Sequence, residues 1–263
     1  MIKNNIDKEK LKKELIHIEK TYVKKYFANF LENETKQNPC NIKNRKDFLK
    51  RLFIVSIYKL VGGRAKIEYA EKGYDSFSKF VDSLNNKNIS DYYYFSRKLE
   101  SYTHKMHKSF YSKFNEGNIK DIINLTAFKG MGQKTASLFL RFLCCYTNFF
   151  NRNKPQDLLV PLDRVNWRFC FKEKKTFNKK DFESFQDFAL SIMKNPKDRI
   201  YFDNIWFIGH FWHDRRKTNS CQISRVTKAI EGDCLKGIKL PLICPLYNFC
   251  SKKDNLFKGE KLK

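Results

Sequence analysis

Leu11, Leu15, Ile18, Tyr22, Tyr26 and Phe30 recur at helical spacing with Lys and Glu between them, which predicts an amphipathic helix with one buried face. The period fades over Asn33 to Asn44, the loop expected to follow it. A second and more apolar helix is predicted from Asp47 to Leu60, through Phe48, Leu52, Phe53, Val55 and Ile57, with Gly62 and Gly63 ending it. Tyr74 to Leu84 and Leu99 to Phe114 predict further helices, as do Asn118 to Phe128 and the run through Ala136, Phe139, Leu140 and Leu143. Nowhere do β-branched residues alternate with polar ones over a useful length, so the expected class is all-α. No internal repeat is visible, and the Lys- and Asn-rich patches Asn85 to Asn88 and Asn151 to Lys154 read as solvated loops.

Composition narrows the partner. The chain has 263 residues, long enough for one large domain or two small ones. With 41% hydrophobic residues, among them 25 Phe and 13 Tyr, it is too apolar to stay unfolded. Lys and Arg total 53 against 28 Asp and Glu, a net charge of +25 that points to a polyanion, DNA or RNA first, although AT-rich coding also enriches Lys. The longest apolar stretch, Phe139 to Phe150, is interrupted by Arg141, Thr147 and Asn148 and falls short of a membrane span. Met1 to Lys13 is charged and lacks a signal-peptide core, so an intracellular location without membrane attachment is expected.

The sharpest local signal is Lys129-Gly130-Met131-Gly132-Gln133-Lys134 between two helical runs. Glycines at 130 and 132 permit positive backbone torsions and close approach of a phosphate, while the amides opening the second helix carry partial positive charge. Such a hairpin suits the DNA backbone and reads no sequence. Downstream, Leu158-Leu159-Val160-Pro161-Leu162-Asp163 sets an acid after a proline, ahead of Val165, Trp167 and Phe169 at helical spacing, and Asp163 is placed to cap that helix.

Gly-Met-Gly-Gln-Lys-Thr-Ala at 130 to 136 and Val-Pro-Leu-Asp at 160 to 163 together resemble the helix-hairpin-helix DNA glycosylase superfamily, closely over residues 118 to 170 and in layout elsewhere. The resemblance implies a two-lobed all-α glycosylase fold with a C-terminal cysteine loop. Residues 47–148 would form a helical barrel lobe that includes the hairpin, and 1–46 with 149–263 a second lobe, with the base pocket in the cleft between them. In bifunctional members the lysine after the G-x-G-x stretch is the nucleophile and the later aspartate its partner, positions matched by Lys134 and Asp163. Gly130, Met131, Gly132, Gln133 and Thr135 would then contact DNA. A carboxylate near the sugar stabilises the positive charge that builds as a glycosidic bond breaks. Lys134 must lose its proton to attack, which the positive helix end and a partly dry, cation-rich cleft are expected to favour. The target base is flipped out of the stack. Trp167, Trp206, Phe207 and Trp212 are candidates to stack on it, though aromatics at helical spacing are more often core.

Cys221, Cys234, Cys244 and Cys250, with 12, 9 and 5 intervening residues, form a thiol group suited to zinc or an iron–sulfur cluster. The last gap, Cys244-Pro-Leu-Tyr-Asn-Phe-Cys250, resembles the four-cysteine loop of the endonuclease III branch, which binds a 4Fe–4S cluster; the middle spacings are longer than in that family and require an insertion. A second alignment sets Pro241 where a cysteine belongs, leaving zinc or unligated thiols as the alternatives. Cys40, Cys144, Cys145 and Cys170 read as inert or buried thiols, and His210 and His213 as structural rather than ligating. On substrate the resemblance divides. Pro161-Leu162-Asp163 with Trp167 is similar to the 8-oxoguanine glycosylase branch, which is favoured because it adjoins the catalytic acid, whereas the cysteine loop is similar to enzymes of oxidised pyrimidines. The partner implied is double-stranded damaged DNA, bound by a monomer. The rival is a non-catalytic helix-hairpin-helix module that only holds DNA.

Overall fold

Asp7 starts the first helix by accepting a hydrogen bond from the Lys10 amide at 3.0 Å. The computed structural model describes residues 6–58, 67–104, 117–151, 154–171, 176–212, 233–241 and 243–249. Helix α1 (Lys8–Ile18) passes through a π-helical turn, Glu19–Val23, into α2 (Lys24–Thr35). There follow α3 (Arg45–Tyr58), α4 (Ile67–Ser83), α5 (Tyr92–Thr103), α6 (Gly117–Leu125) and α7 (Gln133–Cys145). The chain continues with α8 (Arg164–Cys170), α9 (Lys179–Met193), a 3-10 segment Pro196–Asp203, α10 (Asn204–Trp212) and a 3-10 turn Tyr247–Phe249. Among the described residues there is no strand, and the all-α class holds. None of their helices is long and apolar enough to cross a membrane.

Several boundaries differ from those the periodicity predicts. Helix α2 runs past Asn33 to Thr35 because Thr35 folds its hydroxyl back onto the Leu31 carbonyl at 2.7 Å, and Lys36 then breaks the helix at φ +57°. Helix α5 begins at Tyr92 rather than Leu99, since Asp91 accepts from the Tyr94 amide at 2.8 Å and caps it; the rest of the expected helix, 105–114, lies outside the described residues, as do Gly62 and Gly63. Helix α4 begins at Ile67, before Gly73, where the sequence places its start after that glycine. Helices α9 and α10 are further elements. Asn178 and Asp181 cap α9 reciprocally, each side chain taking the other's amide, at 3.0 and 2.8 Å.

The chain divides into two compact units, 30–161 and 1–29 with 162–263, the division falling within α2. The internal unit is built round an aromatic core. Phe53 and Phe77 stack at 4.2 Å, and Phe128 meets both edge-on at 6.0 and 5.1 Å. Phe128 follows α6 directly, so the core anchors the chain just before the glycine hairpin. Helix α6 is also tied to α5 through Asp121, buried, whose two carboxylate oxygens accept from the hydroxyls of Tyr92 and Ser96. Burial pushes the Asp121 carboxyl above the usual range, with Glu100 adding to it and the two hydroxyls and Lys120 opposing; burial likewise raises Tyr92 and the Cys144 thiol.

In the unit made from the chain ends, Leu11, Leu15 and Ile18 are fully buried, and α1 packs on α9 and α10. Tyr26, Phe207 and Phe211 form one ring cluster, and Phe188 and Phe202 another with Phe185 and Phe171. Buried Asn204 donates to the Leu15 carbonyl at 3.0 Å, joining α10 to α1.

Candidate functional site

Backbone hydrogen bonds and one positive torsion shape the glycine hairpin. After α6, Thr126, Ala127 and Phe128 wind down through amide bonds to Ile122, Asn124 and Leu125, and Met131 turns back to donate to the Phe128 carbonyl at 3.0 Å. Gly130 sits at φ +84°, a torsion that a side chain disfavours, with Ile57 and Ala70 behind it. Gly132 is the N-cap of α7 at φ −83° and ψ 175°, an extended conformation open to any residue, and no protein atom lies within 4 Å of where its Cβ would be. Neither torsion nor internal packing calls for glycine there; what its lack of a side chain provides is open approach to the first turn of α7, which no side chain caps.

The hairpin rests on α4. A Cβ at Gly73 would lie 1.9 Å from the Lys129 carbonyl oxygen and 2.9 Å from its carbon, an approach only glycine permits. The sequence contains the signal, a glycine inside a helical run, but not the partner it accommodates. Met131 and Thr135, each about 2% exposed, turn their side chains into the core, so a ligand would meet them through the backbone. Gln133 donates to the Ser137 hydroxyl at 3.1 Å along the helix. Lys134, the second residue of α7, is half-buried, and Lys129 is exposed. Of this stretch, Gly130 and Gly132 are exposed and Gln133 and Lys134 half-buried.

Asp163 belongs to the unit of the chain ends. It is half-buried and extended, at φ −132° and ψ 157°, and caps α8 by accepting the Val165 amide at 2.6 Å. The following turn is held from the inside: Asn166, buried, donates to Asp203 Oδ1 at 2.7 Å, and Trp167 stacks on Phe171 at 4.2 Å. Trp167, Phe207 and Trp212 are buried core residues; Trp206 is half-buried and stacks with exposed His210 at 5.8 Å.

Of the four cysteines singled out, Cys234 is buried and Cys244 half-buried, while Cys221 and Cys250 lie outside the described residues, as does His213. Helix α2 fastens the turn that carries Cys234. Asn29 donates to the Cys234 and Lys236 carbonyls at 3.0 and 3.2 Å, and Lys25 donates to Gly237 at 3.0 Å. Trp212 donates its indole N–H to the Pro241 carbonyl at 3.1 Å. Among the described residues no three His, Cys, Asp or Glu side chains converge. Cysteine sulfur is the donor that zinc and iron–sulfur clusters take, and the turn that bears Cys234 is held by α2 side chains through its main-chain oxygens. No family model matches the chain, and no curated protein or solved structure matches it significantly.

Proposed function

We propose that this protein is a base-excision repair DNA glycosylase with abasic-site lyase activity, acting on an oxidised base in double-stranded DNA, with 8-oxoguanine the favoured lesion. The observation that carries the reading is the hairpin itself: Gly132 leaves the uncapped first turn of α7 open to a phosphate, one turn of chain from Lys134. The net charge of +25 supports the same polyanion.

Lys134, deprotonated, bonds through Nζ to the anomeric carbon of the flipped nucleoside. The glycosidic bond breaks, its electron pair leaving with the base, which takes up a proton. Asp163 supplies negative charge to the sugar as that bond opens. As the nitrogen lone pair forms the C=N bond, the C1′–O4′ bond breaks with its electron pair going to O4′, which takes up a proton, and a protonated Schiff base results; loss of a proton from C2′ then expels the 3′ phosphate by β-elimination. Cys221, Cys234, Cys244 and Cys250 would hold a 4Fe–4S cluster, or zinc, which when bound braces the C-terminal loop through metal–thiolate bonds.

Borohydride reduction tests the reading. Wild type becomes covalently linked to a duplex carrying one 8-oxoguanine or one abasic site, and Lys134→Gln does not. Failure of wild type to link to any damaged duplex, with binding retained, would leave the non-catalytic module in its place. The cysteine spacing favours the second substrate reading, oxidised pyrimidines, and a panel of duplexes each holding one defined lesion decides between the two.

A further inference from the structure

Gly209 lies inside α10, where glycine is among the least favourable helix residues, so its presence asks for a steric reason. That reason is Val165. A Cβ at 209 would stand 2.5 Å from Val165 Cγ1 and 3.7 and 3.8 Å from its Cβ and Cγ2. A β-branched residue has few χ1 rotamers open to it, so a Cβ at 209 forces Val165 into a poorer rotamer or shifts its backbone. The helix is held from behind, because Asn166 is bonded to Asp203 and Phe171, on which Trp167 stacks, meets Phe188 of α9 edge-on. The Val165 amide is the donor that holds the Asp163 carboxylate, at 2.6 Å.

We infer that Gly209 is a positioning residue for Asp163: the notch it leaves in α10 seats Val165, and Val165 orients the carboxylate. This rests on the role proposed above for Asp163, and it adds a residue that neither the hairpin nor the proline-preceded acid reveals. The path runs inside one unit, from α10 to Val165 to the Asp163 cap.

The test compares wild type, Gly209→Ala, Val165→Ala and the double variant Gly209→Ala/Val165→Ala, in which the offending methyl is gone. Two readouts are taken: deuterium uptake by the amides of 163–168 in the free protein, and borohydride trapping with affinity on duplexes carrying one 8-oxoguanine or one abasic site. Gly209→Ala is expected to take up deuterium faster over 163–168 and to lose about 10-fold or more in single-turnover trapping at saturating DNA, with affinity changed by no more than about two-fold. The double variant returns to the level of Val165→Ala in both. A simple loss of folded protein would lower the trapped amount rather than the rate and would not be rescued. Unchanged uptake and rate in Gly209→Ala overturn the inference, as does a loss the double variant fails to reverse. Should Gly209→Ala not fold, the double variant must, and its failure to do so also overturns it. If wild type traps on neither duplex, the glycosylase reading falls, and the seating of Asp163 by Gly209 is then decided by deuterium uptake alone.

Discussion

Asp163 caps α8, and in the mechanism proposed above the same carboxylate supplies a charge; the two duties can be separated. Asparagine caps as well as aspartate, so Asp163→Asn should keep thermal stability within about 0.5 kcal/mol while cutting single-turnover base release by roughly 100-fold. Asp163→Ala loses the cap too and costs about 1 kcal/mol more on a denaturant curve. Asp121 is a different kind of acid. Its folded-state pKa is raised by burial, so the folded protein holds that proton more tightly than the unfolded chain; stability from this group is full at low pH and declines as pH climbs from about 4, the ordinary aspartate value, through the folded pKa. Replacing it, in Asp121→Asn, should flatten that decline, which melting temperatures measured from pH 4 upward would reveal; an unaltered pH dependence would assign the slope to other groups. The tie from Asp121 to Tyr92 and Ser96 fixes α6, the helix leading into the hairpin, so the variant also reports on how firmly that helix is held.

Among the elements, the hairpin offers glycines with contrasting tolerance. Gly132→Ala meets no protein atom and should alter stability by about 1 kcal/mol or less, yet it places a methyl where a phosphate would approach and should weaken binding to undamaged duplex. Gly73→Ala pushes against the Lys129 carbonyl and should both destabilise, by about 1–3 kcal/mol, and displace the hairpin. For either variant, weaker duplex binding with an unchanged circular dichroism spectrum marks a lost phosphate contact, whereas a lost helical signal marks unfolding. These elements were unequally legible. The hydrophobic period exposed α1 and α3 because their buried faces repeat regularly, and the hairpin was readable because glycine at 130 dictates a torsion locally. The beginnings of α4 and α5 were not, since Gly73 looks like a helix breaker until Lys129 lies against it and Asp91 is one polar residue in a run of them. Gly209 was illegible for the same reason as Gly73: what each accommodates is far along the chain.

At the scale of the whole molecule, charge and cysteines make the remaining predictions. A chain with net charge +25 that engages six or more phosphates should lose about 1,000-fold or more in affinity for undamaged duplex between 50 and 200 mM salt, measurable by fluorescence anisotropy. Purified without chelator, the protein should carry iron and sulfide in equal amounts and be brown; zinc with no visible colour would select the alternative ligand, and neither would mark the thiols as structural. The resemblance implies an internal lobe at 47–148, and the internal unit of the structure is 30–161; the cysteine spacing alone could not choose a metal, because thiolate grouping suits both.

The grip of α2 on the Cys234 turn bears on how that segment can vary. Asn29 and Lys25 take hold of main-chain oxygens at 234, 236 and 237, groups that every amino acid supplies. The anchorage is therefore blind to which side chains occupy those positions; apart from Cys234, a ligand in the reading proposed above, and Gly237 with its φ of +70°, the turn can change in sequence without losing its mooring.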